Sequence, residues 1–198
     1  MSKPIHIKRV TGADLDDHIG ELARLRIQVF RDYPYLYDGD LDYEAHYLRT
    51  YSQARGSVIV LALDVARVVG AATAVPLREE TEAVQAPFIE QGYDPADVFY
   101  LGESVLLPEY RGQGIGVRFF EEREAHARAL GPLRWFAFCA VERPAEDPRR
   151  PPNYRPLDRF WRNRGYRRHP VLRTAFSWKE IGESAESLKP MVFWLKAA

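Results

Sequence analysis

The chain has 198 residues, 46% of them hydrophobic, and carries 28 Lys and Arg against 28 Asp and Glu for a formal net charge of zero. That length suits one domain with a sizeable core and is short for two. Balanced charge argues against a general nucleic-acid binder, which needs a basic surplus to neutralise phosphates.

The single cysteine, Cys139, excludes an internal disulfide and suits a reducing compartment. Residues 1–10 contain no apolar core of a secretory leader. The longest apolar stretch, 57–77, is interrupted by Asp64 and Arg67 and cannot span a bilayer as one helix. A cytoplasmic protein with no membrane partner is expected, with residues 1–198 forming one domain.

Taken in order, Ile5, Ile7 and Val10 alternate with polar residues and predict a first strand. Thr11-Gly12-Ala13-Asp14 is a turn with capping residues. Leu15, Ile19, Leu22, Leu25 (or Arg26) and Val29 then recur at helical spacing, and this helix should stop near Phe30, ahead of Asp32-Tyr33-Pro34. Aromatic and acidic residues alternate from 34 to 44 without one basic residue. The spacing Asp38-x-Asp40-x-Asp42 invites a calcium-loop reading, which fails because the sixth position is Tyr43 and the twelfth Arg49. A helix over 41–54 should follow, with Tyr43, Tyr47 and Leu48 or Tyr51 on one face.

Two apolar runs, 57–63 and 68–75, flank the turn Asp64-Val65-Ala66-Arg67 and read as an antiparallel hairpin. A polar connection, 76–97, includes a short helix around 83–91. The strand 98–107 leads into a glycine-dense loop. A helix over 117–130 ends at Gly131-Pro132, and a strand over 133–141 follows. Residues 143–156 carry too much proline for regular structure and form a surface insertion, read as a lid. A short helix over 157–164 closes at Gly165, and strands over 171–178 and 191–195 end the chain.

The stretch that organises this order is Val105-Leu106-Leu107-Pro108-Glu109-Tyr110-Arg111-Gly112-Gln113-Gly114-Ile115-Gly116. It reads as strand, tight loop, helix. Three glycines let a ligand approach the main chain. The first N–H groups of the helix lack internal partners, and the helix dipole adds about half a positive charge there. This is a seat for a phosphate. A Walker-type loop is excluded because Val117 and Arg118 follow Gly116 where Lys-Ser/Thr is needed. A dinucleotide fingerprint is excluded because Val117 occupies the third glycine position.

The pattern Arg/Gln-x-x-Gly-x-Gly/Ala does fit. Together with Leu-Leu-Pro-Glu-Tyr before it, the loop resembles the coenzyme A loop of the GNAT superfamily of N-acetyltransferases, and the order β-α-α-β-β-β-α-β-α-β-β agrees. The resemblance implies an α/β (α+β) fold: a mixed, mostly antiparallel sheet of about seven strands flanked by about four helices. It implies acetyl-coenzyme A as acyl donor. The backbones of Arg111, Gly112, Gln113, Gly114, Ile115 and Gly116 would then meet its pyrophosphate, and Val105, Leu106 and Leu107 its pantetheine arm, chiefly through the main chain of Val105 and Leu107. The first two helices and their connection would overhang the acceptor, placing Tyr35, Tyr37 and Asp38 beside a cationic amine. A solvated helix start, with acids favoured by the dipole, is the other reading of those acids.

Acetyl transfer requires a neutral amine. A lysine-like amine, pKa near 10.4, is neutral about once in a thousand at pH 7, so deprotonation costs roughly 4–5 kcal/mol. Related enzymes often use a glutamate on the strand before the loop, which points to Glu103. Period-two alternation puts it on the face of Leu101 and Val105, and pairing with an arginine is its alternative. The family's usual tyrosine acid falls at Trp161, which cannot serve. Tyr154 is the substitute, its alternative being an exposed loop tyrosine. Cys139 reads either as an acyl carrier or as a small core residue. The five histidines show no ligand spacing, so no metal is implied. The expected function is acetyl transfer to a primary amine of a small molecule or peptide; a non-catalytic acyl-coenzyme A-binding module is the alternative. No nucleic-acid partner is expected, and a homodimer is admitted without being required.

Overall fold

A computed structural model describes residues 4–198, so the first three residues of the stretch read for a leader lie outside it. One seven-stranded sheet runs through the molecule. Its strands are β1 (His6–Val10), β2 (Val58–Asp64), β3 (Arg67–Pro76), β4 (Val98–Leu106), β5 (Trp135–Val141), β6 (Arg167–Trp178) and β7 (Ser187–Ala197). They lie in the order β1-β2-β3-β4-β5-β7-β6. Every neighbouring pair is antiparallel except β4 and β5. β2 and β3 read as unbroken apolar runs because helices cover both faces of the sheet there.

Among the described residues five α-helices flank the sheet, in keeping with the expected architecture: α1 (Ile19–Phe30), α2 (Leu41–Gln53), α3 (Glu82–Glu90), α4 (Ile115–Leu130) and α5 (Asp158–Asn163). A 3-10 turn, Gly12–His18, takes the place expected for the start of α1. α1 packs on α2 and on β3 and β4, whereas α4 packs on β2, β3 and β4. The two sets occupy opposite faces. A Cβ on Gly70 would meet Phe119 of α4 at 3.1 Å, while Thr73, three positions along β3, lies on the face of the Tyr51 hydroxyl from α2.

The register of β3 against β4 slips once. Ala72 pairs with Ser104 but Ala74 with Leu101, so Thr73 alone faces Gly102 and Glu103. This β-bulge breaks the period-two alternation. Leu101 and Ser104 share the α4 face, and Glu103 shares the other face with Tyr100 and Val105, not with Leu101. Arg123 of α4, only 1% exposed, secures the bulge from beneath. It donates to the carbonyls of Thr73 (3.0 Å) and Glu103 (3.4 Å) and to Ser104 Oγ (3.0 Å). Burial pulls its guanidinium down to about 10.

Beyond the bulge the sheet opens. β4 pairs with β5 only at Val98, Phe99 and Tyr100. From there β4 stays on β3 as far as Leu106, and β5 stays on β7 as far as Val141. The two parallel strands therefore part, and the gap between them widens toward the glycine loop. The proline-rich insertion contains neither helix nor strand, as expected.

Candidate functional site

At the wide end of the gap the glycine loop turns into α4. Gly112 and Gly114 take φ of +78° and +82°, which only glycine adopts without strain. The buried Ile115 side chain anchors the turn to the core. The Arg111 amide donates to Pro108 O (3.1 Å), and the amides of Val117 and Arg118 share Gly114 O (3.0 and 3.2 Å). Between them the N–H groups of Gly112, Gln113, Gly114, Ile115 and Gly116 donate to no group among the described residues. Five consecutive free amides at a helix start form a concentrated anion seat. Phe160 of α5 closes one side, its ring 3.3 Å from where a Cβ on Gly116 would stand.

Along the β4 side of the gap, Leu107 has no main-chain group to offer. Its N–H goes to Val69 O and its carbonyl accepts from Tyr110 N–H, both at 3.0 Å. Strand alternation then turns the main chain of Val105 toward β3 as well, and that of Ser104 and Leu106 toward the gap. The main chain that faces the gap is thus that of Ser104 and Leu106, one residue from the expected Val105 and Leu107. Leu106 O presently accepts from Arg111 Nε at 3.2 Å.

On the α1–α2 face, directly at the bulge, polar side chains converge. Arg26 of α1 is nine-tenths buried and forms ion pairs with Glu44 and Glu103. Burial alone would lower its pKa, but Glu103, Tyr47 and Glu44 outweigh that and hold the guanidinium charged. It also lies over the ring of Tyr47, 4.5 Å from the centroid. Tyr47 donates to Glu103 (3.1 Å) and touches the Tyr51 hydroxyl (3.1 Å), which donates to Glu80 (3.3 Å). Across the gap, Tyr100 Oη and Cys139 Sγ are 3.0 Å apart. Burial pushes the Cys139 thiol up to about 12.

The roof is the α1–α2 connection. Burial raises the Tyr35 phenol first, and the nearby Cys139, Glu103 and Tyr154 add to it, so Tyr35 belongs to the same chamber. Tyr37 lies against Glu44 and is raised chiefly by burial. Asp38 is turned away: its carboxylate is 2.9 Å from Lys179 Nζ and 3.8 Å from Arg31, and the Lys179 hydrogen bond lowers its pKa. Asp40 caps α2 through the amides of Asp42 and Tyr43. Asp38, Asp40 and Glu44, three acids of this acidic and aromatic segment, are thus committed to Lys179, to a helix cap and to Arg26.

Tyr154 is half-buried and packs edge-on against Tyr33, with centroids 4.7 Å apart. Its hydroxyl has no hydrogen-bond partner among the described residues, and burial raises its pKa. Trp161 packs into the aromatic core beside Phe138 (5.0 Å) and Trp194 (5.1 Å). Glu80 was not singled out from the sequence, and Arg26, Tyr47 and Tyr51 were read only as positions on helix faces, without a role in the site. The one available signal was Arg26, a charge on the apolar stripe of α1. No three His, Cys, Asp or Glu among the described residues could hold a metal. No helix among them is long and apolar enough to cross a membrane.

The site thus combines a mixed sheet split between two parallel strands with a run of free amides at the open end. The Acetyltransferase (GNAT) family profile matches residues 23–148, more than half of the chain, and the chain belongs to that family. No curated protein sequence matches it. Among solved structures, it is similar to a ribosomal-protein-alanine N-acetyltransferase from Brucella melitensis (15% identity, TM-score 0.62, 98% of this chain and 99% of that one). It is similar to Arabidopsis thaliana NAA60 in complex with acetyl-CoA (15% identity, TM-score 0.63, 98% of each chain). It also resembles yncA, a putative acetyltransferase from Salmonella typhimurium with its cofactor acetyl-CoA (10% identity, TM-score 0.62, 98% and 94%).

Proposed function

We propose that the protein is an acetyl-CoA-dependent N-acetyltransferase acting on a primary amine of a small molecule or peptide. The observation that carries this is the run of five free amides, Gly112 to Gly116, at the mouth of the β4–β5 gap. The pyrophosphate of the donor would rest on those amides and its pantetheine arm on the main chain of Ser104 and Leu106. That route brings the thioester to the bulge at Gly102 and Glu103, where the strands part. Two solved relatives of this fold hold acetyl-CoA, which supports the choice of donor.

The acceptor would enter over Tyr35 and Tyr37, between the α1–α2 connection and the insertion. Glu103, fixed by Arg26 and Tyr47, supplies a negative wall for the ammonium. Tyr154, whose hydroxyl is uncommitted, is the proton donor toward the departing sulfur. Asp38 acts through Lys179, shaping the roof instead of touching the amine.

A binding module without turnover is the second reading, kept alive by Trp161, which sits in the aromatic core where the family's tyrosine acid is expected. Thiol release from acetyl-CoA across a panel of amines, beside calorimetric binding of coenzyme A, separates the two. Release with at least one amine supports the transferase. Binding without release from any amine selects the module, and no binding removes both.

A further inference from the structure

We infer that Glu80, not Glu103, takes the proton from the acceptor amine, through a relay of tyrosine hydroxyls built across the bulge. The inference rests on the transferase reading above.

Two carboxylates open on the same face of the gap in unlike surroundings. Glu103 is bound to the guanidinium of Arg26, and accepting a proton would cost one of that buried cation's two ion pairs, leaving it Glu44 alone. Glu80 follows the turn at the end of β3 and is held by neutral donors only. The Tyr51 hydroxyl reaches Oε1 at 3.3 Å and the Thr81 amide reaches Oε2 at 3.2 Å. No cation among the described residues pairs with it: Arg78, two residues away, is exposed and faces Glu79 at 3.7 Å. The titratable groups around it are Tyr47 and Tyr51 of α2, Tyr100 and Glu103 of β4 and Cys139 of β5, all neutral or negative. From α3, Gln85 Nε2 donates to the Glu80 carbonyl at 2.6 Å, leaving the carboxylate alone. Burial raises the Glu80 carboxyl, and the charge of Glu103 adds to the rise while the Thr81 amide and Tyr51 oppose it.

The geometry also sets a proton count. Glu103, Tyr47, Tyr51 and Glu80 form four oxygens in a row, with contacts of 3.1, 3.1 and 3.3 Å. Three contacts need three protons, and two phenols supply two. With both carboxylates ionised, Tyr47 donates to Glu103 and Tyr51 to Glu80, and the contact between the phenols lacks its proton. One proton added at Glu80 completes the row: Glu80 donates to Tyr51, Tyr51 to Tyr47 and Tyr47 to Glu103. Gly102 makes this row possible, since a Cβ there would stand 2.8 Å from the Tyr51 hydroxyl and 2.4 Å from Thr73 Oγ1.

The ammonium gives one proton to Glu80. The freed lone pair bonds the thioester carbon, and the C–S bond breaks with its electrons on sulfur. Tyr154 gives its proton to sulfur and is restored by the second surplus N–H proton, giving amide and thiol. Glu80 then returns its proton to water.

The test compares wild type with Glu80→Gln and Tyr51→Phe, using acetyl-CoA and an Nα-blocked lysine or a peptide with a free α-amino group as probe amines. Coenzyme A affinity and circular dichroism are measured on each variant. Glu80→Gln should lower kcat/KM about 100-fold or more at pH 7, and the loss should shrink as the pH approaches 10 and the lysine becomes neutral by itself. Coenzyme A affinity should stay within about threefold. Tyr51→Phe should lower the rate in the same pH-dependent way, whereas Glu103→Gln should act mainly on KM for the amine. A Glu80→Gln loss that is absent or equal at every pH, in a protein that turns over, overturns the assignment alone. Coenzyme A binding without turnover in wild type overturns it together with the transferase reading.

Discussion

Arg143, just past the end of β5, holds the carboxylate of Glu180 in the turn between β6 and β7. The same guanidinium donates to Pro34 O at 2.7 Å and Tyr35 O at 3.3 Å in the α1–α2 connection. Arg149 of the insertion binds Glu180 from another side and Asp147 at 2.9 Å, while Trp178 Nε1 donates to Tyr35 O at 3.0 Å. One carboxylate, 2% exposed, thus ties the roof, the insertion and the last hairpin together. Removing it leaves the buried Arg143 guanidinium without a carboxylate and takes from Arg149 one of its two. Glu180→Ala should destabilise the fold by about 3–5 kcal/mol, as breaking buried pairs does. It should raise KM for the amine more than it weakens coenzyme A, because the glycine loop lies elsewhere. Urea unfolding and the two binding constants check this, and an unchanged midpoint removes Glu180 as the tie.

Acid should loosen the same tie before the sheet opens. The Arg149 hydrogen bonds lower Asp147 from its ordinary value to about 2, and the Glu180 amide with Lys189 and Ser187 lowers Glu183 to about 2. Both carboxyls are depressed in the folded state. Their contribution is complete above the ordinary carboxylate range and is lost as the pH falls through it toward about 2. Trp178 fluorescence, followed from pH 5 to pH 2, should change in this window ahead of far-ultraviolet circular dichroism. A Trp178 signal that moves only with global unfolding contradicts the local loosening.

The parts legible in the sequence were those written in short repeats. The apolar runs of β2 and β3 and the glycine spacing from Gly112 to Gly116 each announce themselves within a dozen residues. The pairs that shape the chamber do not. Arg26 meets Glu44 and Glu103 across 18 and 77 positions, and Arg143 meets Glu180 across 37. Nothing local says which of many arginines closes on which acid. The bulge was also hidden, although an isolated glycine within an apolar strand, Gly102, is its ordinary sign. Missing it put Leu101 on the wrong face. The insertion read correctly as irregular, but its fastening by Arg143 and Arg149 depends on a turn some thirty residues further along.

Gly102 offers a direct probe of the bulge. Its φ is ordinary, so Gly102→Ala acts through space alone: the added methyl would lie 2.4 Å from Thr73 Oγ1 and 2.8 Å from Tyr51 Oη. Neither neighbour can retreat far, since Thr73 sits within β3 and Tyr51 is 4% exposed. Overpacking of this kind costs about 1–3 kcal/mol. The expected outcome is a folded protein with a lowered midpoint, a broken contact between Tyr51 and Glu80, and the pH-dependent rate loss of Tyr51→Phe. Wild-type rates at pH 7 would mean that Tyr51 has no part in the reaction.

Cys139 should be a poor nucleophile despite its place at the gap. With the thiol pushed up to about 12 by burial, very little thiolate exists at neutral pH. Alkylation by iodoacetamide at pH 8 should run about a thousandfold slower than for a free thiol of pKa near 8.5. No acetylated Cys139 should accumulate when the protein meets acetyl-CoA without an amine, and intact-protein mass spectrometry reads both results. Rapid alkylation, or a stable acetyl adduct on Cys139, would replace direct attack by a two-step route.

The anion seat is tested most sharply at Gly114. The residue caps α4 with φ of +82°, and no atom lies within 4 Å of where its Cβ would be. A side chain there meets no steric barrier, and the left-handed backbone costs about 1–2 kcal/mol, less for Asp than for most residues. Gly114→Asp should therefore fold, with a midpoint a few degrees lower. Its carboxylate would stand among the free amides from Gly112 to Gly116 and occupy the field that favours a phosphate. Coenzyme A affinity should fall by about 100-fold or more. Gly114→Ala shares the backbone strain without the charge and should lose far less, so the difference between the two variants isolates the electrostatic part. If calorimetry gives Gly114→Asp the wild-type affinity, the diphosphate rests somewhere other than this loop, and the path proposed along Ser104 and Leu106 goes with it.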